Sequence, residues 1–183
     1  MPRVLVPLAE GFEELEAITI IDLLRRANIE VTSAGLEAGP VRASRGSVIL
    51  PDDSLYNVID QAFDMIVLPG GLPGADHLNN DERLREKIQA MSEGGRYVAA
   101  ICAAPKVLAS AGLLKGKKAT SYTGALDKVE GVKRVNEPVV IDGKVVTSQG
   151  PGTAMDFALA LIELLLGPEK REEVEKPLLR PSL

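Results

Sequence analysis

The sequence predicts a doubly wound α/β domain, with helices on both faces of a mostly parallel sheet. Short apolar runs typical of strands buried on both faces alternate with segments whose apolar residues recur at helical spacing. The chain opens with a strand at 4–8, a helix at 13–27 and a strand at 29–34. This order favours a parallel pair joined by a right-handed crossover. The length suits one domain, 1–183, ending in a charged helical stub and tail at 169–183.

The other elements follow from the same periodicities and from turn residues. A hairpin joins strands at 41–43 and 47–50, and 51–54 breaks the second strand and can cap a short helix. Asp142 and Gly143 form the turn of a later hairpin. The remaining predicted strands are 65–68, 97–101, 119–122, 139–141 and 144–147, and the remaining helices are 81–91, 104–111 and 153–166.

Composition argues against several classes of partner. The net charge is −5, and three Tyr, three Phe and no Trp give no basic stripe interleaved with aromatics, so we expect no nucleic-acid binding. The N-terminal apolar run is too short and too soon acidic for a signal peptide, and Glu163 interrupts the longest apolar stretch near the end. We therefore expect no membrane association and a cytoplasmic location, which the single cysteine fits.

Cys102, the only cysteine, falls where a buried strand should end and a helix should begin. The small residues that follow it are typical of a nucleophile elbow, in which a sharp turn presents one side chain. A helix N-terminus favours negative charge, so this position predicts a thiol pKa below its ordinary value. The alternative interpretation is a small buried hydrophobe, which is what most lone cysteines are.

Three chemistry-bearing segments fall at predicted strand ends: 10–16, 69–71 and 102–103. Ligands of such sheets bind outside the carboxyl ends of the strands, so we expect the three to converge. The glycine pair at 70–71 can free backbone N–H groups to approach an oxyanion. At helical spacing Glu13 and Glu16 share one side, so either could reach the site.

A carboxylate beside a thiolate repels it, so the pair should titrate as a coupled unit. One stable arrangement is a protonated carboxyl that donates a hydrogen bond to the thiolate and so both orients it and carries a proton. His77 is the only histidine, and by spacing it could approach the site or face solvent.

Five segments together resemble the ThiJ/PfpI superfamily and, within it, its parkinsonism-associated deglycase branch (DJ-one-like). They are 13–17, 21–27, 67–71, 99–105 and 147–153, within a resemblance that runs from Val4 to about Leu178. The resemblance implies the flavodoxin-like, class I glutamine amidotransferase-like form of the fold. It also implies a homodimer, with the first helix and the segment near Arg25 and Arg26 at the interface.

The same resemblance assigns roles at matching positions. It implies that Cys102 is the reactive cysteine, that Glu16 rather than Glu13 hydrogen-bonds its sulfur, and that Gly71 and Ala103 supply oxyanion N–H groups. Activities of the branch are glutathione-independent glyoxalase action, deglycation of early methylglyoxal or glyoxal adducts, holdase chaperoning, and oxidation of the cysteine to sulfinate.

The sequence departs from the family pattern at two positions. Ala103 stands where the protease-like branches carry His, which argues against a cysteine protease. Tyr122 stands where many members of the branch carry a His near the site. A phenol is a poor base at neutral pH but can donate a hydrogen bond, so any catalytic role of Tyr122 is secondary.

The sequence thus favours a cysteine-dependent enzyme that needs no metal or organic cofactor. Its substrates would be small aldehydes and dicarbonyls, or glycated side chains. Two other hypotheses stay open: a redox sensor in which Cys102 becomes sulfinate, and a stress-response chaperone without significant catalysis.

Overall fold

Seven strands form the central sheet of the computed structural model, which describes residues 1–181. Chain-order strand bounds are β1 Arg3–Leu8, β2 Glu30–Gly35, β3 Val41–Arg42, β4 Val48–Ile49, β5 Asp53–Ser54, β6 Met65–Leu68, β7 Tyr97–Ile101, β8 Lys118–Ala119, β9 Lys133–Arg134, β10 Val139–Asp142 and β11 Val145–Ser148. The helices are α1 Glu14–Arg26, α2 Leu55–Val58, α3 Gly74–Asn80, α4 Glu82–Glu93, α5 Pro105–Ser110, α6 Ala154–Leu166 and α7 Pro168–Glu175.

The sheet order is β10-β11-β7-β6-β1-β2-β5, and every pair is parallel except β10 with β11. From β1 the chain winds outward through β2 to β5, and from β6 it winds the other way. The strand order therefore reverses between β1 and β6, which is the topological switch point where such sheets bind ligands. The predicted α/β fold with a mostly parallel sheet is confirmed.

Alternating strand residues pack into two apolar layers, one on each face of the sheet. In β1, Val4, Val6 and Leu8 pack with helices α1 and α6, whereas Leu5 faces the layer formed with α4 and α5. This alternation is what a pleated strand imposes when both of its faces are buried. Most of the side chains in both layers are fully buried, so close packing holds the strand ends at the switch point in fixed positions.

Several predicted elements differ from those observed. The break predicted at 51–54 contains β5, which adds to the sheet edge, and the strand predicted at 119–122 shrinks to β8, paired with β9 in a separate two-stranded sheet. Helix α3 was not predicted, because its glycine and asparagines are poor helix formers. Tertiary packing of the buried Ala75 and Leu78 stabilises it instead.

The end of the chain follows the prediction in part. Helix α7 forms the predicted charged stub, and Arg171 pairs with Glu163 of α6 at 2.7 Å. Positions 182–183 of the predicted tail lie outside the described residues. Within 1–181, no helix combines the length and apolarity that crossing a membrane requires.

Candidate active site

The three sequence segments converge at the carboxyl ends of β1, β6 and β7. The Glu13 N–H donates to the Gly70 carbonyl at 2.9 Å, which joins the start of α1 to the loop after β6. An ideal Cβ placed on Gly70 would lie 2.6 Å from Cys102 Cβ and 2.8 Å from Glu16 Oε2. Gly70 thus lies in close contact with both the Cys102 thiol side chain and the Glu16 carboxyl group.

Cys102 has the backbone conformation of a nucleophile elbow. Its φ of 64° lies in the left-handed region, which costs a residue with a Cβ of order 1–3 kcal/mol. Two hydrogen bonds hold it there: its N–H donates to the Ser148 carbonyl at 3.0 Å, and its carbonyl accepts from the Tyr122 N–H at 2.8 Å. The residue is 8% exposed, so only a small ligand group can reach the sulfur.

Two backbone amides point at this sulfur. The N–H groups of Gly71 and Ala103 donate to the Cys102 thiol, and both bonds lower its pKa. Gly71 has φ of +88°, and a Cβ there would overlap Glu13 and Gly11, so only glycine fits. The predicted oxyanion N–H groups therefore lie together at the thiol.

The structure separates the three glutamates that open α1. Glu16 is fully buried beside the thiol, and its Oε2 accepts from the Gly70 N–H at 2.8 Å. Glu13 is the N-cap, and its carboxylate accepts from the Glu16 N–H at 2.8 Å. Glu14 turns away and binds the N–H of Arg45 in the β3–β4 hairpin. Of the two candidates that spacing left open, Glu16 is the one that reaches Cys102.

Burial controls the acidity of Glu16. It raises the pKa of Glu16 to about 7, against hydrogen bonds from Cys102 and Gly70 that lower it, and the charge of Glu13 raises it further. Oε1 is buried with no hydrogen-bond partner of good geometry among residues 1–181. An ionised carboxylate would leave charge on that oxygen without a donor, so the site favours the protonated form more than water does.

The predicted depression of the thiol pKa is not what the structure gives. Burial is the largest cause, and repulsion from Glu16 and a hydrogen bond with it add to the effect. Together they raise the pKa of Cys102 to about 12, although the Gly71 and Ala103 amides oppose the shift. Helix α5 begins only at Pro105 and has 6 residues, so its N-terminus contributes little at the sulfur.

The two groups together carry at most one negative charge around neutral pH, because a second charge beside the first is strongly repelled. With the charge on Glu16, the thiol is protonated. With the charge on sulfur, Glu16 holds the proton and can donate it back. The arrangement supplies a nucleophile and a proton carrier at contact distance.

The other two sequence candidates lie further from the chemistry. Tyr122 contributes its backbone amide to the elbow, but its side chain is 57% exposed and its ring lies against Gly150. His77 is exposed on α3 and borders a separate cavity with Leu36. Among residues 1–181, no hydrogen bond joins either side chain to Cys102, and no three His, Cys, Asp or Glu side chains cluster as a metal site would require.

The contacts of two positions at the site were not predicted from the sequence. Gly70 both donates to Glu16 and makes room for the thiol, whereas the sequence predicted an oxyanion N–H role for the pair 70–71 and the resemblance assigned that role to Gly71. Ser148 is fully buried and holds the Cys102 amide through its carbonyl. The glycine pair was a usable signal for Gly70, and Ser148 lay within the resembling segment 147–153, but no residue pattern pointed to its contact with Cys102.

Comparison with known proteins agrees with this geometry. The model of the DJ-1/PfpI family matches residues 2–164. The chain belongs to the DJ-1/PfpI family. Within that family it is 47% identical over 178 residues to protein dj-1beta of Drosophila melanogaster, covering 96% of this chain and 95% of that protein.

Two further relatives differ in how much of their length this chain covers. DJ-1 homolog B of Arabidopsis thaliana is 45% identical over 184 residues, which cover 98% of this chain but only 42% of the plant protein. The chain therefore spans less than half the length of that relative. A Caenorhabditis elegans relative named glutathione-independent glyoxalase DJR-1.2 is 39% identical over 171 residues, covering 92% of this chain and 91% of that protein.

Solved structures of the DJ-1/PfpI family superpose along nearly the whole chain. Drosophila melanogaster DJ-1beta gives a TM-score of 0.95 at 45% identity, covering 99% of both chains. Oxidized Toxoplasma gondii DJ-1 gives 0.96 at 39% identity, covering 100% of both. The architecture described above is therefore that of the family.

Replacing Gly70 with alanine should disturb the thiol and the carboxyl group together. The added Cβ would lie within 3 Å of both, and overpacking costs about 1–3 kcal/mol, so Gly70→Ala should lower the free energy of unfolding and slow alkylation of Cys102. Gly152→Ala is the matched control, since a Cβ there meets nothing within 4 Å. Wild-type stability and alkylation rate in Gly70→Ala would contradict the packing described.

The raised pKa of Glu16 should appear in the pH dependence of stability. The folded chain holds this proton up to about pH 7 and the unfolded chain only to about 4.5, so the contribution of Glu16 is complete below 4.5 and is lost as the pH rises through 7. Glu16→Gln should therefore gain stability relative to wild type across that window in urea unfolding. Glu93→Gln, exposed at the end of α4, is the control, and a difference that does not change with pH would refute the assignment.

Proposed function

We propose that this protein is a cysteine-dependent enzyme that converts small α-oxoaldehydes such as methylglyoxal to α-hydroxy acids. The observation that carries the proposal is the contact between the Cys102 thiol, the Glu16 carboxyl group and two backbone amides. The relative named a glutathione-independent glyoxalase supports it. Early adducts of methylglyoxal with amines or thiols release the same aldehyde, so glycated side chains belong to the same substrate class.

The first step is addition of the thiol to the aldehyde. With the pKa of Glu16 near 7, its carboxylate can take the thiol proton while sulfur attacks the aldehyde carbon. The C=O π pair moves to oxygen, and the Gly71 and Ala103 N–H groups stabilise the developing oxyanion. Glu16 then returns the proton to that oxygen, which gives a hemithioacetal.

The second step moves hydrogen between the two carbons. Glu16 removes the proton from the former aldehyde carbon to give an enediol and delivers it to the neighbouring carbon. The ketone oxygen gains a proton, and the hydroxyl on the first carbon loses one, so a thioester forms without any external oxidant. Water hydrolyses the thioester, which frees the Cys102 thiol and releases lactate from methylglyoxal.

Lactate formation from methylglyoxal tests these roles directly. Cys102→Ser should abolish lactate formation, because a serine hydroxyl is a far weaker nucleophile than a thiol at neutral pH. Glu16→Ala should slow it by about 10²- to 10⁴-fold, the usual contribution of a positioned acid–base group. Glu93→Ala, at an exposed position remote from the site, serves as the control for the carboxyl deletion.

Equal rates of lactate formation in wild type, Cys102→Ser and Glu16→Ala would refute the enzymatic proposal. The oxidation-sensor hypothesis is then the second candidate, since the Gly71 and Ala103 amides that meet the sulfur suit the oxygens of a sulfinate. Oxidation by mild peroxide that adds two oxygen atoms to wild type, but not to Cys102→Ser, would support that role. Oxidation of the methionines before the thiol would count against it.

We also infer that the functional unit is a homodimer. Four exposed apolar side chains lie on α1 and on or just after β4: Leu15, Ile18, Val48 and Leu50. Glu14 of α1 bonds to Ser44 and Arg45 between β3 and β4, which ties the two segments to each other. Arg25 and Arg26 lie at the far end of α1 and pair within the chain, with Asp52 and Asp22. The apolar set is therefore the proposed centre of the interface.

Ile18→Glu should shift the protein from dimer to monomer in sedimentation velocity, because it places a charge in an apolar contact. Ile141→Glu is a matched control, since Ile18 is 42% exposed and Ile141 is 49% exposed on the opposite edge strand β10. A monomeric wild type, or equal dissociation in both variants, would overturn the inference.

A further inference from the structure

A cavity of about 610 Å³ opens beside the nucleophile elbow and is not used by the mechanism above. Its walls come from the segment after β8, the segment after β9 and the turn after β11. The residues that matter here are Tyr122, Thr123, Asp127, Arg134, Asn136 and Gln149.

The cavity is tied to Cys102 through the backbone. The Tyr122 N–H binds the Cys102 carbonyl at 2.8 Å, and the Cys102 N–H binds the carbonyl of Ser148, the residue before Gln149. Two walls of the cavity are therefore fixed to the same backbone that fixes the nucleophile. The exposed Tyr122 borders the cavity, and its ring lies against Gly150.

The size of the cavity exceeds what the smallest substrate needs. Ligand sites of about 300–1,000 Å³ hold drug-sized molecules, whereas methylglyoxal has only three carbons. A substrate that fills this space and still places an aldehyde at the sulfur must carry a longer chain behind its reactive end.

The walls are polar but carry little net charge. Arg134 pairs with Asp127 at 2.8 Å, so their opposite charges offset each other. The Gln149 amide donates to the Asn136 carbonyl oxygen at 2.7 Å. That bond holds both side chains in place and leaves the Asn136 NH₂ group as a donor and the Gln149 carbonyl as an acceptor within the described residues.

These features select among ligand classes. An anion would have to compete with Asp127 for Arg134, and an apolar ligand would leave the amides without partners. Hydroxyl groups both donate and accept, so a chain of them matches the fixed amides and the Thr123 hydroxyl. The exposed Tyr122 ring adds an apolar face for the C–H groups of such a chain.

We propose that this cavity is a subsite for the hydroxylated carbon chain of sugar-derived α-oxoaldehydes, whose reactive end reaches Cys102 past Tyr122. The proposal rests on the function proposed above and specifies its substrate. The chemistry stays balanced, since R–CO–CHO and water give R–CH(OH)–COOH while the chain R is held and unchanged.

The kinetic test compares 3-deoxyglucosone, a six-carbon α-oxoaldehyde, with methylglyoxal. Asn136→Leu and Gln149→Leu should each lower the ratio of their kcat/KM values by roughly tenfold, because a hydroxyl partner is lost and an amide is left unpaired. Asn57→Leu, exposed on α2, is the matched control and should keep the wild-type ratio. An unchanged ratio in both cavity variants, with methylglyoxal still consumed, would refute the subsite and leave the proposed function standing.

A binding measurement separates the subsite from catalysis. Cys102→Ser protein titrated with glucitol, an unreactive open-chain hexitol, should show amide NMR shifts at Tyr122, Gly124 and Gly150, and these should weaken in the double variant with Asn136→Leu. If methylglyoxal is not consumed, these shifts alone decide whether the cavity binds polyols. Shifts produced by a glycated peptide but not by glucitol would overturn the proposal in favour of a peptide site.

Discussion

The hydrogen bond from the Gly70 N–H to the buried Glu16 carboxyl group is the contact around which the site is organised. This bond joins α1 to the loop after β6, where the strand order reverses. Cys102 lies in close contact with Gly70. A side chain at position 70 would push the carboxyl and the thiol apart. The absence of a Cβ at this single residue is therefore what allows two ionisable groups to share a buried niche.

Sharing that niche determines the chemistry. Burial makes charge expensive for both groups, so each holds its proton more tightly than in water and the pair carries at most a single charge around neutral pH. A permanently ionised thiolate would need stronger donors than the amides of Gly71 and Ala103. A thiol that ionises only as its proton moves to Glu16 needs no such support, and in the proposed reaction the base is already in place when an aldehyde arrives.

Sequence reasoning predicted the buried strands and the elbow because these depend on local patterns of apolar and small residues. It could not predict α3, which tertiary packing around Leu78 stabilises against poor local propensity. It left Glu13 and Glu16 equivalent, since only the position of the helix start makes one the cap and buries the other. It gave the wrong direction for the Cys102 pKa because burial, the largest contribution, is not visible in one dimension.

With His77 exposed on α3 and Tyr122 turned toward solvent, Glu16 is the side chain that can carry the proton in the proposed reaction. One carboxyl group must then serve attack, hydrogen transfer and release in turn, which requires it to gain and lose the same proton repeatedly. A pKa near 7 suits this duty, since neither the charged nor the neutral form is strongly favoured at neutral pH. The burial that makes Glu16 an unfavourable residue for folding is thus the property that fits it for the proposed reaction.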